Sequence, residues 1–161
     1  MYLEKFSLLN KSVIVTGATR GIGQAIAVAL AEAGADVLGV GRSDHTETRN
    51  QVEAYGRRYV PMQLDIADED APEKIVHKAV ESFGKVDILV NAAGITRRYL
   101  ALEISEQDWN DVIQTNLTAL FFLSQKCGPT IHSTRYGRKH HQYCIDAFLS
   151  RRISCDPLHG E

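Results

Sequence analysis

Val13-Ile-Val-Thr-Gly-Ala-Thr-Arg-Gly-Ile-Gly23 is a short β-branched strand that runs into a glycine-rich turn and then opens a helix. After a buried strand, Gly17, Gly21 and Gly23 remove the side chains that would block close approach to the main chain. The helix that follows aims free N–H groups and the positive end of its dipole at the turn. A pyrophosphate suits such a place. The spacing is Thr-Gly-x-x-x-Gly-x-Gly rather than G-x-G-x-x-G, so the common dinucleotide fingerprint matches only in part, and a glycine cluster alone equally marks a plain turn.

Outward from this turn the chain alternates strands with helices. Gln24 to Ala33 is rich in alanine, with Ile26, Ala27, Leu30 and Ala31 at helical spacing and Gly34 as a stop. Asp36 to Gly41 reads as a second strand, Thr46 to Tyr55 as a short polar helix ended by Gly56, and Tyr59 to Leu64 as a third strand. Asp68 is placed to cap a helix from Ala71 to Phe83, with Pro72 in the first turn, where a missing N–H does no harm, and Gly84 as its stop. Val86 to Asn91 is a fourth, apolar strand. Ser105 is a good N-cap for a long helix from Glu106 to about Lys126, with Asp108 at N3. Its apolar face (Trp109, Val112, Ile113, Leu117, Leu120, Phe121, Leu123) suits either a core or a subunit-packing surface. The alternation predicts an α/β domain with right-handed crossovers and a parallel sheet covered on both faces.

At 161 residues, 44% of them hydrophobic, the chain is of single-domain size and able to build a core. The net charge of -2, without a basic block interleaved with aromatics, argues against a nucleic-acid partner. The first residues lack a basic region followed by a long apolar run, and no apolar segment approaches the roughly 20 residues that span a bilayer. The expectation is a soluble cytoplasmic protein with no membrane partner. All three cysteines and four of the six histidines fall from residue 127 onward, so the chain divides by composition. An odd cysteine count argues against a disulfide framework.

With Thr16 to Gly23, Leu64-Asp65, Asn91-Ala-Ala-Gly94 and Asn116 in order on successive elements, the chain resembles the short-chain dehydrogenase/reductase family. More narrowly, Phe6-Ser-Leu8, Thr46-Glu-Thr48, Gly56-Arg-Arg58, Val86 to Asn91, Arg97-Arg98, Ala101-Leu-Glu103, Asp108-Trp109 and Phe121-Phe122 resemble its deoxygluconate dehydrogenases, over residues 1 to about 125. The resemblance implies a Rossmann-like doubly wound parallel sheet, here truncated to about four strands in the order 3-2-1-4. Residues 1–126 would form the dinucleotide-binding part, and 127–161 an irregular tail. It also implies that the glycine turn, with Gly17, Thr19, Arg20, Gly21, Ile22 and Gly23, wraps the cofactor pyrophosphate. Asp65 would take the adenine amino group, with Ile66 beside it. Asn91, Ala92, Ala93 and Gly94 would border the cofactor ribose, although Ala92 stands where the family has a second Asn and so loses that side chain's hydrogen bond. Asn116 would help to hold a proton-relay water.

The choice of cofactor is open. An acidic residue roughly 20 residues past the glycines would read the 2′-hydroxyl of NAD, but Gly41-Arg42-Ser43 stands there, and Arg42 could pair the 2′-phosphate of NADP. The resembled sugar-acid dehydrogenases mostly use NAD, which makes NAD the expectation and NADP its alternative. Arg97 and Arg98 follow the fourth strand at the carboxyl edge of the sheet, where ligands of open α/β folds bind. A guanidinium fork suits a sugar-acid carboxylate such as that of 2-deoxy-D-gluconate, so one of the two is expected to anchor this small-molecule substrate. A solvated basic pair is the plain alternative. The family is typically oligomeric through the long helix and the one after it, so the intact parent is expected to be a homo-oligomer.

In this family a Ser on the fifth strand and a Tyr-x-x-x-Lys on the next helix carry the proton chemistry. None of these can be assigned: Tyr136-Gly-Arg-Lys139 is one residue short, and no other Tyr has a Lys four positions on. His140, His141, Cys144, Cys155 and His159 could be zinc ligands. A frame change explains the tail better, so no metal is expected. Read from the second base of each codon, His140 onward can encode Ile-Ile-Asn-Ile-Ala-Ser-Met-Leu, and Cys155 onward Val-Ile-Pro-Tyr-Thr-Ala-Ser. The shifted Ser and Tyr begin in the Ile145 and Leu158 codons, 13 positions apart, which is the family's usual separation. The chain as written is thus expected to bind a nucleotide without turning over, and its fourth strand to have an uncovered edge that invites aggregation.

Overall fold

The computed structural model describes residues 6–98, 100, 102–135 and 144–146, with only the main chain from 132 to 135 and 144 to 146. Five parallel strands form one sheet: β1 (Ser12–Thr16), β2 (Asp36–Gly41), β3 (Tyr59–Gln63), β4 (Ile88–Asn91) and β5 (Cys144–Asp146), in the order β3-β2-β1-β4-β5. The helices are α1 (Gly21–Glu32), α2 (Thr46–Glu53), α3 (Ala71–Phe83), α4 (Glu106–Ile113) and α5 (Ala119–Arg135), with a π-helical turn, Gln114–Thr118, joining the last two.

Alternation along the central strands divides the core into two layers. Val13, Val15, Val37 and Val90 face Ala27 and Ala31 of α1 and Val52 of α2. Ile14, Leu38, Val40 and Leu89 face Ile75, Val76 and Ala79 of α3 and Leu123, Cys127 and Ile131 of α5. Burial on both faces is why these strands read as continuous apolar runs. The expected order 3-2-1-4 is present, extended by β5. Leu89, Val90 and Asn91 pair with Cys144, Ile145 and Asp146, which corrects the expectation of an uncovered β4 edge. Three residues are too few for a periodicity to reveal.

Two further boundaries differ from the sequence reading. The long helix does not stop near Lys126 but runs through Gly128 and Pro129 to Arg135, because Cys127 and Ile131 fall on its buried face. Asp70, not Asp68, precedes α3; Asp68 is used in a main-chain turn, its N–H on the Asp65 carbonyl and its own carbonyl taking the Ala71 N–H. The stop at Gly84 is left-handed, with φ 78°. Among the described residues no helix is long and apolar enough to cross a membrane.

The amino ends of the strands are tied by charge. Asp87, only 1% exposed at its side chain, takes Lys85 at 2.9 Å and Lys11 at 3.2 Å, and accepts the Ser12 N–H at 3.0 Å. Asp36 takes Arg57 at 2.6 Å and Arg58 at 2.9 Å. Burial pushes both carboxyls up, but these partners outweigh it and hold them below their ordinary value of 3.8. A depressed carboxyl stabilises the fold above its unfolded pKa and ceases to do so as pH falls through the folded value. Urea melts should therefore show stability declining below about pH 4. Asp87→Asn should cost roughly 2–3 kcal/mol at neutral pH, less than a fully buried pair because the lysines stay one-third exposed, and should flatten that acid decline.

Candidate functional site

The carboxyl ends of β1, β2 and β4 meet at the glycine turn. Gly17 has φ 68°, and a Cβ built on it would lie 2.9 Å from the Ala92 carbonyl oxygen and the Ala93 main chain. A Cβ on Gly23 would lie 2.2 Å from the Gly17 carbonyl oxygen. These two glycines let the turn pack against both the β4 loop and the helix it starts. Gly21, with φ 60°, faces open space, leaving room for a ligand to reach the main chain.

Thr16, at the end of β1, holds the two loops together. Its Oγ1 accepts the N–H of Ala92 and of Ala93, each at 3.1 Å, and its hydroxyl donates to the Val90 carbonyl at 3.4 Å. The signal for this role in the sequence is faint: a Thr at the end of an apolar strand, directly before a glycine. Behind the turn, Thr48 of α2 donates to the Ala18 carbonyl and accepts from Gln24, and the Thr19 methyl sits where a Gly41 side chain would be.

The first turn of α1 has neither an acidic residue nor a side-chain cap, since Arg20 is extended and caps nothing. Its leading N–H groups and the helix dipole are thus directed at the turn without a built-in anion. Open main chain at Gly21 and an uncapped helix start fit a pyrophosphate. Ile22 is 74% exposed beside it.

The remaining expected residues lie around this point. Arg42 and Asp65 touch each other, Nη1 to Oδ2 at 3.1 Å. The Ile66 side chain is buried in the α3 layer. Asn91 is buried and donates to Ser124 at 2.9 Å. Asn116 sits in the π turn with both ends of its amide on one peptide: Oδ1 accepts the Ile95 N–H and Nδ2 donates to the Ile95 carbonyl, each at 2.8 Å. Its side chain braces the loop after Gly94. Arg97 is engaged by Asp108 at 3.1 Å and Asp111 at 3.7 Å, whereas Arg98 is exposed and makes no ion pair among the described residues. The geometry thus separates two arginines that the sequence could not.

Residues 11–138 match the family model for short chain dehydrogenase. The chain belongs to the short-chain dehydrogenase family. It is 47% identical over 125 residues to the 2-dehydro-3-deoxy-D-gluconate 5-dehydrogenase of Dickeya dadantii (strain 3937), covering 78% of this chain and 49% of that protein. Among solved structures, a short chain dehydrogenase from Burkholderia cenocepacia J2315 in complex with NADP superposes with TM-score 0.74 at 36% identity, over 77% of this chain and 52% of the other. Carveol dehydrogenase from Mycobacterium avium in complex with NAD gives TM-score 0.73 at 30% identity, over 78% and 51%. The chain spans about half the length of the curated relatives it matches. Of the tail's candidate zinc ligands, His140, His141, Cys155 and His159 lie outside the described residues, as does the tail's Tyr136 to Lys139, and Cys144 is described only in its main chain. Among the described residues no group of His, Cys, Asp and Glu could hold a metal ion.

Two substitutions test the geometry. Thr16→Val should strand the Ala92 and Ala93 N–H groups and cost about 1–3 kcal/mol in urea melts. Gly23→Ala should displace the turn and abolish measurable dinucleotide binding in a calorimetric titration, while helix content by circular dichroism stays near that of the parent chain.

Proposed function

We propose that this chain carries the cofactor-binding half of an NAD(P)-dependent dehydrogenase acting on a deoxy sugar acid. The glycine turn carries this reading: an uncapped helix start and open main chain at Gly21, braced by the Gly17 contact with Ala92 and Ala93. A bound NAD(P) would supply the hydride acceptor or donor. Gly17, Thr19, Arg20, Gly21, Ile22 and Gly23 would hold its pyrophosphate, Asp65 and the Ile66 main chain its adenine, and Asn91 to Gly94 its ribose. Asn116 would position that last segment. NAD is the expected cofactor, with NADP the alternative.

A deoxy sugar acid is supported by the name of the Dickeya relative and by Arg98. With Arg97 engaged by α4, Arg98 is the guanidinium left to take a carboxylate. That relative is named for carbon 5 of 2-dehydro-3-deoxy-D-gluconate, whereas the sequence points to 2-deoxy-D-gluconate; the deoxy sugar-acid class is common to both. We infer that the parent is a homo-oligomer, since Trp109, Leu117, Phe121 and Phe122 of the long helix are each at least half exposed and would be covered by a second copy.

The chain as written lacks the Ser and the Tyr-x-x-x-Lys that move the proton, and it would bind without catalysing. The frame reading of the tail accounts for this loss; resequencing the DNA between the codons of Gln125 and Lys139 should show one extra or two missing bases. The 161-residue chain should bind NAD in a calorimetric titration yet give no NADH absorbance with 2-deoxy-D-gluconate or 2-dehydro-3-deoxy-D-gluconate. Turnover would refute the non-catalytic reading, and absence of any binding the nucleotide reading. In the frame-restored parent, Arg98→Ala should raise KM about tenfold or more with little change in kcat, as loss of a charged hydrogen bond shared by ground and transition states does.

A further inference from the structure

The loops after β2 and β3 carry opposite charges that meet at the rim of the site. Arg42 directly follows β2, Asp65 lies two residues beyond β3, and their side chains are 3.1 Å apart. Both are held from behind. The Arg42 carbonyl accepts from Gln63 at 2.9 Å, the Leu64 N–H donates to the Gly41 carbonyl at 3.0 Å, and the second Asp65 oxygen accepts the Ala67 N–H at 3.0 Å. The next acid along the β2 loop, Asp44, is turned onto α2, where its oxygens take the Thr46 hydroxyl and N–H. His45 is buried on Tyr59, 2.7 Å from its hydroxyl. Arg49 lines the hollow beyond Ser43, but the contact that a group arriving beside Arg42 would meet first is that of Arg42 with Asp65.

We propose that Asp65 is a specificity-determining residue that disfavours a 2′-phosphate through Arg42. By engaging the guanidinium it withholds the cation that a 2′-phosphate needs, and it places a negative charge next to that phosphate. A 2′-hydroxyl loses nothing by either effect. The inference rests on the dinucleotide reading above and adds to it a cause for preferring NAD despite Arg42. Because Arg42 is 65% exposed at its side chain, the pair is weak and opens readily, so it biases the choice and does not block it. An adenine contact from Asp65 would serve NAD and NADP alike, and so it cancels when the two affinities are divided.

The test is calorimetric titration of the 161-residue chain with NAD and with NADP at low salt, for the parent, Asp65→Asn, Arg42→Ala and the double variant. Asp65→Asn keeps the carbonyl oxygen that accepts the Ala67 N–H and removes only the charge. The expected result is a shift of the Kd ratio toward NADP by about fivefold, the scale of an exposed ion pair, which shrinks to less than twofold when Arg42 is already Ala. Raising the salt to about 0.5 M should narrow the parent-to-variant difference. An unchanged ratio in Asp65→Asn, or the same shift with and without Arg42, would overturn the proposal while leaving dinucleotide binding intact. Failure of all four proteins to bind either cofactor, with native circular dichroism, would overturn the dinucleotide reading and this inference with it.

Discussion

Everything at the carboxyl edge of the sheet depends on how closely two loops approach. The turn after β1 and the segment after β4 touch main chain to main chain, at Gly17 on one side and Ala92 and Ala93 on the other, a contact that leaves no space for a Cβ. Sheet hydrogen bonds bring the strand ends side by side, but they do not fix the loops beyond them. Thr16 does that with one oxygen shared by two N–H groups. The turn is thereby held in a left-handed conformation at Gly17, and the start of α1 is directed outward. Ligand capacity at this edge follows from a packing constraint, with the dipole and N–H groups of α1 as its result.

A second constraint acts at the far side of the same edge. The loop after β4 is braced by Asn116 from a helix that widens into a π turn at that point. Such turns concentrate at functional sites because the extra residue re-aims a side chain that a regular helix would carry elsewhere. Here it delivers an amide to the Ile95 peptide. Arg97 then ties the continuation of the loop to α4, so the segment from Gly94 to Arg97 is gripped by one helix at both ends.

Much of this was legible in the sequence, and the exceptions have physical causes. β1, β2 and α3 fall where periodicity and glycine stops put them. α1 begins at Gly21, earlier than expected, because a glycine-rich run reads as turn even where its main chain is already helical. The extension of α5 through Gly128 and Pro129 was hidden by two residues that usually end helices, whereas burial of Cys127 and Ile131 outweighs their propensity. The pairings of Arg42 with Asp65 and of Thr16 with Ala92 and Ala93 join residues far apart in the chain. No local pattern encodes them. What separates Arg97 from Arg98 is likewise the position of α4, which the dipeptide does not reveal.

The packing of β2 against β3 has a consequence for how the protein can vary. Tyr59 lies across Gly39, where a built Cβ would stand 1.9 Å from its hydroxyl. Burial pushes that phenol up from its ordinary pKa, so it stays a neutral partner for His45. Any side chain at 39 therefore requires a smaller residue at 59 first, and the smaller residue leaves His45 without its hydroxyl. The three positions are therefore bound to drift together and in a particular order, which makes them a historical unit within the sheet.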